Sequence, residues 1–72
     1  MNKQIYRGDR VKIINRETNQ VEAIGIFNRL YHIDNNIHYF ITIEKGKYDW
    51  QIGHEKDYSN EYYSVIRDDV ND

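Results

Sequence analysis

The chain has 72 residues, a formal net charge of −2, no cysteine and no proline. That length points to one domain with a small core, since a chain of about 60 residues buries only roughly 60% of its surface on folding. The lack of cysteine excludes disulfide staples and thiolate metal ligands, and no apolar run approaches a membrane span. Nothing near Met1 resembles a signal peptide, so the expectation is a cytoplasmic protein. Ile, Asn, Tyr and Lys, whose codons are A/T-rich, are heavily used. The composition fits an A/T-rich bacterium or one of its phages. Charge is uneven: residues 1–32 carry six Lys and Arg against three carboxylates, and residues 33–72 carry four against nine. A bipolar surface with a local basic patch is expected.

Residues 1–7 read as a lead-in, with Ile5 and Tyr6 covering one end of the fold. Gly8-Asp9 turns the chain into a first strand over 9–15. Val11 and Ile13 alternate there with Arg10 and Lys12, giving one wet face. The polar stretch 15–20 lacks an apolar stripe and reads as a loop. A second strand over 21–33 is long for so small a domain. Gly25 inside it marks a bend or bulge, so that its two halves can pair with different neighbours. Ile24 and Ile26 are expected to face inward in phase with Leu30, and the side of Phe27 stays open.

Strict alternation from Ile37 to Ile43 marks a third strand over 37–44, the middle of a meander. Asn35-Asn36 fits a two-residue turn before it, because Asn tolerates positive φ. Lys45-Gly46 fits a second turn after it, leading to a fourth strand over 47–52. These turns predict Ile33 opposite His38, His32 opposite Tyr39, and Leu30, Ile41 and Trp50 in one apolar row. Tyr39 would then face Ile52, and Ile43 would face Tyr48. Residues 53–61 read as a polar loop with a 3₁₀ turn near Asp57-Tyr58-Ser59. A short last strand over 62–66 closes against the first. Residues 1–67 form the domain, and 68–72 form a frayed acidic tail.

The predicted class is therefore all-β. The strand order is a short first strand, a long bent second, a tight meander and a short closing strand. It resembles the SH3-like small β-barrel. The opening Gly8-Asp9-Arg10-Val11-Lys12-Ile13 is similar to the G-D-x-V start of KOW-type modules, with Gly25 alone near the place of their glycine-rich second half. This resemblance implies a single five-stranded barrel and a binding role, with single-stranded nucleic acid as one ligand class. The SH3 domains that take Pro-rich peptides use an acidic long loop. Loop 15–20 has one acid, Glu17. An OB-like barrel is the alternative fold.

No catalytic motif is present. Ser59 and Ser64 lack an activating neighbour in sequence, and a barrel filled by Trp50, Tyr39 and Ile41 leaves little room for a cleft. His32 and His38 fall on opposite faces in the predicted register, which argues against a metal site shared with His54. The expectation is a non-enzymatic module without cofactor or metal. Its partner is another protein, in the manner of a phage or mobile-element regulator, with a homodimer through an edge strand as a further route. Seven tyrosines are many for this length, and tyrosine suits interfaces. The candidate protein-binding residues are Tyr58, Glu61, Tyr62 and Tyr63. The alternative is single-stranded nucleic acid on Arg10, Lys12, Arg29, Tyr31 and Phe40, where rings stack on bases and cations meet phosphate.

Overall fold

The computed structural model describes residues 4–68. Five strands form: β1 (Arg10–Asn15), β2 (Val21–Ile33), β3 (Asn36–Gly46), β4 (Glu55–Ser59) and β5 (Tyr63–Arg67). The one 3₁₀ turn among the described residues is Asp49–Gln51. All pairings are antiparallel, in a single five-stranded sheet of order β4-β3-β2-β1-β5. The all-β class is as the alternation predicts. No helix among the described residues is long and apolar enough to cross a membrane.

The core is a layer of β-branched and aromatic side chains inside the curl of the sheet. Val11, Ile13, Ile41 and Ile43 are completely or almost completely buried, with Ala23, Phe27 and Tyr58 around them. Burial of an aliphatic side chain of this size contributes about 1.5–3 kcal/mol. Small residues make the layer possible. Gly25 lies opposite Val11 on one side and Ile43 on the other, and Ala23 lies opposite Ile13. A Cβ at Gly25 would meet the Thr42 carbonyl oxygen and the Ile41 side chain, so β3 crosses β2 against bare backbone.

The long β2 is shared as its glycine implies. Residues 21–26 pair with β1 and residues 23–33 pair with β3. Its inward phase differs from expectation. A bulge at Asn28, between Phe27 and Arg29, leaves two successive residues opposite one on β3. Phe27 is thereby core, while Ile24 and Ile26 are only half-buried on the other face. The bulge then restores Leu30 to the core side.

The β2–β3 turn is Asp34-Asn35 rather than Asn35-Asn36. Both residues have positive φ, +50° and +69°, and Ile33 pairs with Asn36. That is the type I′ geometry, whose twist matches the flanking strands. Leu30 consequently faces Tyr39, His32 faces Ile37 and Tyr31 faces His38.

The largest correction is the fourth strand. Residues 47–52 form a loop containing the 3₁₀ turn, and the strand is β4, where a polar loop and a 3₁₀ turn at 57–59 are expected from sequence. Trp50, Tyr48 and Ile52 therefore do not join the apolar row; all three are exposed. Their place beside Ile41 and Tyr39 is taken by Lys56 and Tyr58. β5 pairs with β1 as predicted. Among the described residues β4 and β5 share no backbone pairing. They meet through Tyr58 and Tyr63, whose rings stand edge to face at 5.0 Å. The tail begins in order: the Asp68 amide donates to the Arg10 carbonyl, and its side chain is close to Arg10 and Lys12. The rest of the expected frayed tail, 69–72, lies outside the described residues.

Candidate functional site

The most exposed aromatic pair lies on the loop between β3 and β4. Trp50 is 67% exposed and Tyr48 55%, and Ile52 beside them is 50% exposed. The two rings are stacked, 6.1 Å apart with 14° between their planes. Large apolar side chains left in water next to one another are informative in a way that a lone exposed leucine is not.

The backbone holds this loop in one shape. Amides of Gln51 and Ile52 donate to the carbonyls of Tyr48 and Asp49, and that of His54 to Gln51. The loop is also tied to β3, because Gly53 N–H donates to the Ile43 carbonyl and Ile43 N–H to that of His54. Gly53 turns the chain with a φ of +86°, where a side chain would be strained. Gln51 is the only buried polar residue among those described. Its Oε1 lies 2.7 Å from where a Cβ on Gly46 would stand. The loop thus turns its amide side chain inward and its aromatics outward, the reverse of ordinary polarity. Sequence alternation finds Tyr48, Trp50 and Ile52 but assigns them to the core.

The residues expected to bind protein separate. Tyr58 belongs to the core at 5% exposure and presents no ring to a partner. Burial, followed by the nearby Tyr63 and Glu22, pushes its hydroxyl up to about 12. Tyr63 is half-buried against the core. Glu61 and Tyr62 are exposed. Together with Tyr63, Asn15, Arg16 and Glu17 they line an open depression. Arg16 Nε pins it by donating to the carbonyls of Asn60 and Tyr63.

The residues expected to bind nucleic acid divide into two groups. Arg29, Tyr31 and Phe40 come together on the outer face of β2 and β3. Tyr31 and Phe40 rings meet edge to face at 5.5 Å, and the Arg29 guanidinium lies 4.8 Å over Phe40. That guanidinium is also held by both oxygens of Glu55 at 2.9 Å. Asn28 donates to the same carboxylate and to Thr42. Arg10 and Lys12 lie on β1, near Asp68, with Glu44 also beside Arg10. The fold therefore interleaves the charges of the two halves of the sequence, and each cation of this set has a carboxylate beside it.

His38 contacts Asp57 at 3.0 Å on the outer face. It shares that face with its pair partner Tyr31, and His32 lies on the other. No group of three or more His, Cys, Asp or Glu with metal-binding geometry occurs among the described residues.

The chain matches no protein-family model, and no curated protein or solved structure is significantly similar to it.

Proposed function

We propose that this protein is a non-enzymatic binding module that docks a protein partner through the loop carrying Tyr48, Trp50 and Ile52. The observation that supports the reading is the stacked, exposed Tyr48–Trp50 pair on a loop tied down by main-chain hydrogen bonds. Tryptophan and tyrosine dominate binding hot spots because they bury much area at little conformational cost. A loop already fixed in shape loses little further entropy on docking. The meander order and the long shared β2 support an SH3-like assignment of the fold, and a phage or mobile-element regulator in an A/T-rich bacterium is the setting we favour.

The test is affinity capture from such a bacterium with the wild-type chain and with Tyr48→Ala plus Trp50→Ala. A defined protein retained by the first and lost by the second supports the reading, provided both chains melt within about 3 °C of each other, as surface changes should. An identical set retained by both refutes it. The second reading, single-stranded nucleic acid on Arg29, Tyr31 and Phe40, is favoured by their contiguity. It requires phosphate to compete with Glu55 for Arg29. Binding of an oligonucleotide that falls steeply with salt and is lost in Arg29→Ala would support it over the first.

A further inference from the structure

We infer that the open edge of β4 accepts an extended partner segment by strand addition, and that this segment carries Lys or Arg at alternate positions. The inference rests on the protein-binding reading and names the chemistry of the partner. In the β3–β4 ladder, Asn60 N–H bonds to the Ile37 carbonyl and Ile43 N–H to that of His54. Antiparallel pairs alternate between bonded and non-bonded. The register then makes Lys56 and Tyr58 the residues bonded to Ile41 and Tyr39. The N–H and C=O groups of Glu55 and Asp57 therefore point away from β3. Among the described residues β4 has no neighbour on that side. The edge is a template for another extended chain.

Charge selects the occupant. The side chains nearest this edge on the outer face are those of Glu55 and Asp57, two residues apart. Their present partners, Arg29 and His38, share that outer face but lie away from the open edge, on β2 and β3. A carboxylate has about four lone-pair positions, and Glu55 has three donors and Asp57 one ring nitrogen, so each can take a cation from the open side. An added strand places every second side chain on the outer face, next to these acids, and opposite charges across a strand pair are favourable. A second copy of the chain fits badly. The fully overlapping antiparallel register of one β4 on another puts Asp57 opposite Asp57, and a slip toward the N-terminus puts Glu55 opposite Asp57; the opposite slip needs the Ser59 carbonyl, which already accepts from Tyr62 N–H. Ile52 and Trp50 precede β4 by a few residues along the chain, across the turn at Gly53.

The experiment uses the full chain labelled with ¹⁵N and two blocked heptapeptides, one alternating Val with Lys and one alternating Val with Glu. The Lys peptide should slow amide exchange at Glu55 and Asp57 by about tenfold or more at 150 mM salt, a local protection of the kind exchange resolves. Its shifts should centre on 54–59. The Glu peptide should do neither. Asp57→Pro removes the edge-directed donor together with the carboxylate beside His38, is tolerated on an edge strand, and should abolish the protection at Glu55. If that variant fails to fold, Glu55→Lys with Asp57→Lys should transfer the response to the Glu peptide. Absence of protection at Asp57, or equal protection by both peptides, overturns the inference. The aromatic-loop reading is tested by different residues. Capture that still depends on Trp50 while the Lys peptide fails removes the strand addition and leaves the loop. Peptide binding with Trp50-independent capture does the opposite.

Discussion

Replacing Gly25 with alanine tests the close crossing of β2 and β3, because the crossing reverses the sign of the usual effect. In an unobstructed strand, exchange of glycine for alanine stabilises by about 0.4–1 kcal/mol, since the unfolded chain loses freedom. At Gly25 the new Cβ would run into the Thr42 carbonyl oxygen and stand 2.8 Å from Ile41 Cγ2. The first atom is main chain within β3, and the second belongs to a fully buried side chain. Neither can swing aside. Overpacking of a core costs about 1–3 kcal/mol, and a backbone obstacle argues for the upper part of that range. After the entropic gain is set against it, a net loss of about 1–2 kcal/mol remains. A domain of 72 residues has a total stability of about 4–11 kcal/mol, so the loss is substantial. At about 4–8 °C per kcal/mol, Tm falls by roughly 4–16 °C. Urea unfolding should show a lower midpoint with an unchanged m-value. Gly53→Ala is the contrast. Its Cβ meets nothing within 4 Å, and only the strain of a positive φ, about 1–2 kcal/mol, opposes it. A Gly25→Ala chain as stable as wild type, or more so, would refute the close crossing.

Asn35→Gly should stabilise the chain by about 0.5 kcal/mol, because the second position of a type I′ turn prefers glycine; Asn35→Val should destabilise it by about 1–2 kcal/mol, and both are read from urea midpoints. For Tyr58 the folded chain holds its proton more tightly than the unfolded one, with a pKa raised from 10.0 to about 12. The stability this gives is complete below pH 10 and is lost as pH rises through 12. It amounts to about 2–3 kcal/mol, and Tyr58→Phe should flatten that loss when unfolding is compared at pH 9 and pH 11.5. Arg29→Ala should cost about 0.5–1.5 kcal/mol, from a half-exposed ion pair and a stacked ring. Most of that should survive high salt if Phe40 contact dominates, and vanish if the Glu55 charge does.

Four of the five strands are legible because each carries its own signal. Val11 and Ile13 alternate with cations, and Ile37 to Ile43 alternate without a break. The turn at 34–35 was displaced by one residue because Asp34 and Asn35 are as able to take positive φ as Asn35 and Asn36. That error moves the register by two, which keeps every side chain on its face. Polarity therefore could not detect it. The Asn28 bulge is invisible to a strict period of two, and it alone decides that Phe27 rather than Ile26 is core. β4 is hidden in the sequence because Glu55-Lys56-Asp57-Tyr58-Ser59 has one apolar residue. An edge strand needs to cover the core only once and gains from charge elsewhere, so its pattern resembles a loop.

The misreading of 47–52 has a different origin. Tyr48, Trp50 and Ile52 do alternate, and a rule that sends apolar residues inward makes them a strand. The chain instead buries Gln51 and keeps three large apolar side chains in water, although its core is small and would gain from any of them. Packing alone favours the opposite choice. Places where consistent local reasoning fails in this way are expected to be functional or strained. Strain is confined here to Gly53, a residue that adopts its φ without penalty. The local hydrogen bonds are satisfied, so the loop is stable in the inverted form. The inversion is the arrangement that the proposed docking role calls for. The same argument extends to β4. Its acids stand at an edge that has no neighbouring strand among the described residues. That open edge is the feature the proposed strand addition would use.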